Sequence, residues 1–255
     1  MVLSRLRHYL SSIFGSSPRE LHALYPRVDW NQLESVLRYT IRNKDYFVSA
    51  LVHRSFIPVA HFNGLASNER LEFLGDAVLE LVSTTFLYKK YPKSDEGDLT
   101  AFRSALVNAV NLAEVAGKLG MEDYLLLSHG EQKDKGKARM YILANTIEAF
   151  IGALYLDGGY DAAEKFIADH VLCLIDAIVA NRSWIDAKSF FQEKAQDVDG
   201  VTPVYKVLKE SGPDHDKSFS IGVYIRDKKI GEGEGKSKQE AEQDAARDAL
   251  KVKGW

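Results

Sequence analysis

The chain has 255 residues, of which 45% are hydrophobic and 27% charged, with a formal net charge of −3; this gives room for two domains and a globular composition. That balance excludes a surface basic throughout, so any nucleic-acid contact must come from local patterning. A single cysteine, Cys173, excludes an internal disulfide and a multi-cysteine zinc site and fits a reducing, cytoplasmic compartment, with the thiol expected as a small core residue.

No apolar run approaches the roughly 20 residues that span a bilayer, so a membrane protein is not expected. Residues 1–17 carry Arg5, Arg7 and His8, several serines and no acid, with Leu3, Leu6, Leu10, Ile13 and Phe14 at roughly helical spacing. That composition suits a transit peptide, a surface helix that touches membrane or RNA, or a terminal extension; the extension, over residues 1–29, is the reading adopted.

From Trp30 to about Ala180 the periodicity is helical. A series opens at Leu33–Tyr39, and Tyr46–Phe56 reads as one helix containing ALVHRSF, with His53 expected to pack by hydrogen bonding rather than act as a base. The run NERLEFLGDAVLEL, residues 68–81, is the most informative in the chain. At 3.6 residues per turn Glu69, Glu72 and Asp76 fall within roughly 60° of one another, while Leu71, Leu74, Val78 and Leu81 are expected on the buried side. Clustered like charges repel, which suggests a cation that offsets the cost. Taken alone, such a stripe also describes a solvated helix face, and Glu80, four residues past Asp76, lies on it too.

Tyr91-Pro92 ends that helix, and Asp95-Glu96-Gly97-Asp98-Leu99 opens another with acids suited to a helix N-terminus. Residues 142–158, ILANTIEAFIGALYLDG, form a second loaded helix: Asn145 and Glu148 share a face, Ile147, Phe150, Ile151 and Leu154 take the other, and Gly158-Gly159 supplies the stop.

After about residue 182 the pattern changes. Asp186 is placed to cap a helix through roughly Gln196, Val204–Leu208 reads as a strand, and Phe219, Ile221, Val223 and Ile225 alternate at period two. Asp227–Lys229 reads as a turn, a third strand starts at Lys229, and Ser237-Lys238-Gln239-Glu240 is a capping box in which Ser237 caps and Glu240 reaches back. The order is α-β-β-β-α.

The N-E-R-L-E-F-L-G-D string, with A-L-x-H-x-S before it and E-G-D-L-T after it, resembles the ribonuclease III family. The last 70 or so residues, with GPDH at 212–215 and GEGKSKQEAEQDAA near the end, resemble a double-stranded RNA-binding domain. The resemblance implies a multi-domain chain: an extension (1–29), an all-α endonuclease domain (30–182) and an α+β RNA-binding domain (183–255). It implies Glu72, Asp76 and Glu148 as metal ligands, with Asp76 and Glu148 catalytic and Mg²⁺, or Mn²⁺ in its place, as cofactor. Asn145 stands where the family usually has Asp; its carbonyl can coordinate a hard cation but adds no charge. Glu69 and Glu96 are implied near a second metal or the RNA, Glu69 also near the dimer face, although Glu96 equally suits a helix N-terminus. Glu80 lies outside the family's set.

Phe73 resembles the aromatic that enters the partner subunit in family homodimers, an ordinary core Phe being the alternative. Gln192, Glu193, Gln196 and His215 are implied at the minor grooves of double-stranded RNA, and Lys236 and Lys238 at phosphates. The family usually has two lysines after the serine; here the second is Gln239. The implied activity is cleavage of double-stranded RNA to 5′-phosphate products with short 3′ overhangs, in rRNA and mRNA processing. The rival readings are a non-catalytic RNA-binding protein, for which Asn145 is the discriminating residue, and a structural component of an RNA assembly, against which Glu72, Asp76 and Glu148 argue.

Overall fold

In the computed structural model, residues 18–60, 65–133, 136–181, 184–213 and 217–255 are described. The chain divides into two compact units, Met1–Asn181 and Arg182–Trp255.

The first unit is helical among its described residues: α1 Pro18–Leu24, α2 Trp30–Leu37, α3 Lys44–Leu51, α4 Ile57–Ala60, α5 Glu69–Lys90, α6 Glu96–Leu106, α7 Ala109–Lys118, α8 His129–Lys133, α9 Lys137–Gly158, α10 Tyr160–His170 and α11 Ile175–Ala180. Short polar side chains start several of them. Asp29, Asn43, Asp95 and Asn108 each accept a bond from a backbone N–H of the first turn, which satisfies donors that have no partner inside the helix. Residues 1–17 lie outside the described residues, but Leu21, Leu24 and Val28 of the expected extension are already buried.

The two longest helices, α5 and α9, form the centre and pack on each other more extensively than any other pair of elements. Leu71, Val78, Leu79, Val82 and Leu87 of α5 meet a core to which α9 gives Ile147, Phe150, Ile151 and Leu154. Each such side chain contributes about 1.5–3 kcal/mol on burial. Gly159, at φ +81°, ends α9 and starts α10 in a conformation that a side chain would oppose.

Three sequence expectations fail here. Leu81 is 56% exposed, because the buried stripe drifts around α5 to Val82 and Ser83. Cys173 is exposed: it sits in the 3-10 turn Leu172–Leu174, whose neighbours Leu172 and Ile175 take the inward positions. The expected helix Tyr46–Phe56 ends at Leu51; Val52 pairs with Leu126 in an isolated bridge, and His53 starts the 3-10 turn Arg54–Phe56.

The second unit contains α12 Ala187–Asp199, β1 Val204–Ser211, β2 Ser218–Ile225, β3 Lys228–Gly235 and α13 Lys238–Lys253, the strands forming an antiparallel sheet in the order β1-β2-β3. Ala187, Phe191 and Ala195 of α12, Val223 and Ile225 of β2, and Ala245, Ala246 and Ala249 of α13 make its core. Glycines of β3 allow the close fit: a Cβ at Gly233 would overlap the backbone of α13. The turn falls at Arg226-Asp227, one residue earlier than the sequence suggests, with Arg226 at φ +54°. Ser237 caps α13 through the Glu240 N–H at 3.2 Å, but the Glu240 carboxylate reaches back to the Lys236 N–H at 2.9 Å rather than to Ser237.

Candidate active site

The site is set by where α5 and α9 cross. A Cβ at Gly75 would overlap the carbonyl oxygen of Glu148, and one at Gly152 would overlap that of Leu71, so the backbones approach as closely as they do only because both positions lack a side chain. Glu72 and Asp76 flank Gly75 on one helix, and Asn145 and Glu148 precede Gly152 on the other. The start of α5 is fixed as well. Asn68 is 3% exposed, donates its backbone N–H to the Val52 carbonyl at 2.8 Å and its side-chain amide to the Ala50 carbonyl at 3.2 Å, and makes no side-chain cap bond to its own helix.

The four polar side chains act on one another. Burial first, then the negative charges of Asp76 and Glu72, push the Glu148 carboxyl up to about 7. Glu72 is also raised, by burial and then by Glu69 and Asp76, while a side-chain hydrogen bond from Asn145 opposes the rise. An ionised carboxylate only accepts, so the Asn145 amide donates through its NH₂. Half-buried Glu72 and Glu148, raised by neighbouring negative charge, belong to a donor set that a cation would relieve. Among the described residues no group of three or more His, Cys, Asp or Glu side chains stands close enough to enclose an ion by itself. Hard Mg²⁺ suits such an open set, because it keeps several waters and takes only a few protein oxygens. Glu72, Asp76 and Glu148, with the Asn145 carbonyl, fit the ion in charge and chemistry.

The other candidates occupy distinct places. Glu69 is exposed at the start of α5, accepting from the Ser67 hydroxyl at 2.7 Å and lying 3.9 Å from an Arg54 guanidinium nitrogen. Glu96 is exposed in the first turn of α6, whose cap is Asp95, and is not among the charges acting on Glu72 or Glu148. Glu80 pairs with Arg103 at 3.1 Å. Phe73 is 80% exposed and borders a cavity of about 430 Å³ shared with Leu71, Leu74 and Leu156, so it is no core residue. In the second unit Gln192, Glu193 and Gln196 line one exposed cavity of about 320 Å³ along α12. Lys236 and Lys238 flank the α13 cap, with the Lys238 ammonium 5.8 Å from the Phe219 ring centre. His215 lies outside the described residues.

Residues 43–175 match the model of a ribonuclease-III-like family, and residues 187–253 match that of the double-stranded RNA binding motif. Ribonuclease 3 of Protochlamydia amoebophila is 45% identical over 220 residues, 86% of this chain and 89% of that one. This chain belongs to the ribonuclease III family. Ribonuclease 3 of Enterococcus faecalis is 43% identical over 225 residues, covering 87% of this chain and 97% of that one. A solved nuclease domain of ribonuclease III from Campylobacter jejuni, described for structural flexibility in a region involved in dimer formation, is 39% identical. It covers 55% of this chain and 94% of its own, with a TM-score of 0.50. The first unit thus carries a ribonuclease-III-like endoribonuclease domain, and the second is a double-stranded RNA-binding domain.

Several residues that build this site carry only a faint signal in the sequence. Gly75 and Gly152 had a local signal, since glycine inside a helix costs about 1 kcal/mol relative to alanine and needs a packing reason. Asn68 had a misleading one: it reads as a helix cap and is spent on Ala50 instead.

Proposed function

We propose that this ribonuclease III family member hydrolyses double-stranded RNA with Mg²⁺, as a homodimer in the cytoplasm, leaving 5′-phosphates and short 3′ overhangs in the processing of rRNA and mRNA precursors. The observation that carries this reading is the convergence of Glu72, Asp76, Asn145 and Glu148 from two helices held together at Gly75 and Gly152.

When bound, Mg²⁺ supplies charge relief on the phosphoryl oxygens and lowers the proton affinity of an attacking water. Glu72, Asp76 and Glu148 would hold it through carboxylate oxygens and Asn145 through its carbonyl, Asp76 and Glu148 being nearest the chemistry. Glu69 and Glu96 are assigned to the RNA path or a second ion, with Glu69 the better placed. Each protomer would offer one such cluster, and two would cut both strands of a duplex.

Dimerisation is assigned to the exposed face of α5. Phe73, Leu81 and Tyr88 are 80%, 56% and 73% exposed on that helix, and the cavity beside Phe73 is of ligand-site size and mostly apolar. Phe73 of the partner subunit would enter it. In the second unit, Gln192, Glu193 and Gln196 would follow a minor groove, while Lys236 and Lys238 would hold phosphates beside the N-terminus of α13.

Purified protein incubated with a radiolabelled 30-base-pair RNA duplex and Mg²⁺ tests the reading. Cleavage is expected in wild type and absent in Glu148→Gln, with duplex affinity equal in the two proteins. Equal loss of affinity and cutting would make Glu148 a structural residue instead.

A further inference from the structure

A second cavity, of about 360 Å³, is lined by Glu69, Glu72 and Asn145 of the acidic region together with His53, Arg54, Glu131 and Tyr141. His53 is held there in a defined way. Its Nδ1 lies 2.8 Å from the Ser55 hydroxyl oxygen and accepts the Ser55 backbone N–H at 3.3 Å. That hydroxyl oxygen itself accepts the Ser128 N–H at 3.1 Å, leaving its own hydrogen for His53. Because Nδ1 accepts the Ser55 backbone N–H, the proton of the neutral ring is assigned to Nε2. With the Nδ1 edge spent on Ser55, the Nε2 edge is what the ring offers the cavity.

The backbone is fixed too. His53 donates its N–H to the Leu126 carbonyl at 3.2 Å, and its neighbour Val52 accepts from Asn68, the residue that starts the acidic helix. Burial holds the ring's proton affinity below the usual histidine range, against the opposing charges of Glu131 and Glu69, with Arg54 and Arg139 acting in the same direction as burial. His53 therefore contributes a neutral, oriented donor, and Arg54 a charged one, to a cavity that Glu69, Glu72 and Asn145 also line.

Resting on the nuclease reading above, we propose that this cavity seats the backbone phosphate next to the scissile one, and that the His53 Nε2–H and the Arg54 guanidinium are its hydrogen-bond donors. Arg54 supplies the positive charge of that lining, 3.9 Å from Glu69, and an entering phosphate would compete with Glu69 for it. Acceptance of an RNA strand then depends on a phosphate one nucleotide away from the chemistry, and misplaced strands are disfavoured by a donor that cannot turn.

The test uses the full chain and duplexes carrying a single methylphosphonate at successive positions around the cleavage site. His53→Asn keeps an acceptor facing Ser55 and removes the Nε2 donor. It is expected to melt near the wild-type temperature and to lose roughly tenfold in kcat/KM, the effect of one hydrogen bond to a charged group. One methylphosphonate, adjacent to the scissile position, should slow wild type more than it slows His53→Asn, in which only the Arg54 contact is left to lose. A ¹⁵N–¹H spectrum of the wild-type imidazoles gives a readout independent of any variant: His53 should be protonated at Nε2, and Ser55→Ala should release it to a mixture. A proton on Nδ1, wild-type cleavage by a stable His53→Asn, or equal slowing of both proteins by every methylphosphonate would overturn the proposal while the enzyme still cuts. No cleavage by wild type of any duplex would overturn the nuclease reading and this proposal with it.

Discussion

Asn145 stands where the family resemblance leads one to expect Asp, and its amide hydrogen-bonds to Glu72. Its carbonyl, at the other end of the same amide, is the group it would offer a cation. Asn145→Asp removes the donor and adds a fourth charge. Without metal the variant is expected to melt below wild type, and with metal its Mg²⁺ midpoint for cleavage should fall roughly tenfold, about 1.4 kcal/mol. An unchanged midpoint would take Asn145 out of contact with the ion. Glu148 makes a pH prediction. Its folded-state carboxyl titrates at about 7, above the ordinary glutamate value of 4.5, so between those limits the folded chain binds more protons than the unfolded one. Stability of the metal-free protein therefore falls as pH rises through that window. Melting in chelator should show this decline, with Glu72 adding to it in the same direction, and Glu148→Gln should flatten it. Glu72 and Asp76 were legible in sequence because a run of nine residues, 68–76, carries them at fixed spacing, and Glu148 because it shares a helix face with Asn145 in the segment 142–158. The Glu72–Asn145 contact was not, because it depends on the approach of two helices some 70 residues apart in the chain.

Among the elements, the crossing of α5 and α9 governs the site. Gly75→Ala would drive a methyl group into the Glu148 carbonyl, and neither helix can yield without moving the acids. A loss of about 3 kcal/mol or more is expected, beyond the usual cost of overpacking because the clash is with backbone. Calorimetry of the full chain should show the nuclease transition lowered and the RNA-binding unit's transition in place; a nuclease transition unmoved by the substitution would mean that the helices are further apart than described. The helices themselves were readable from periodicity and from caps such as Asp186, whose carboxylate accepts the Ser189 N–H at 2.8 Å as the sequence suggests. What escaped was local and tertiary. The stripe on α5 rotates enough over 22 residues to expose Leu81, and the segment after Leu51 leaves the helix because Val52 and His53 bond to Leu126 and Asn68. Periodicity carries no information about such partners.

For the whole molecule, two units with separate cores divide the work between cutting and holding. Phe73→Glu would place a charge at the apolar face of α5 and is expected to give a monomer in sedimentation velocity, with duplex binding reduced less than cleavage; a dimer of normal stability would move the interface elsewhere. Lys238→Ala should weaken duplexes of unrelated sequence to the same degree and reduce the salt dependence by about one phosphate contact. A strongly sequence-selective effect would contradict the phosphate role. The α-β-β-β-α order was plain from the sequence, since period-two alternation and the Ser237 box are local signals, whereas the face presented by Phe73 became evident only once α5 had buried its other side. The claim on which the rest depends is that the acids of α5 and α9 make one metal-dependent cutting site. Its most direct measurement is cleavage of a long RNA duplex by the wild-type chain across a Mg²⁺ titration, with end-group analysis of the products. Cleavage that rises with Mg²⁺ and leaves 5′-phosphates is the expected result. No product from wild type at any Mg²⁺ or Mn²⁺ concentration, with cutting restored in Asn145→Asp, would contradict it and leave the natural chain a double-stranded RNA-binding protein.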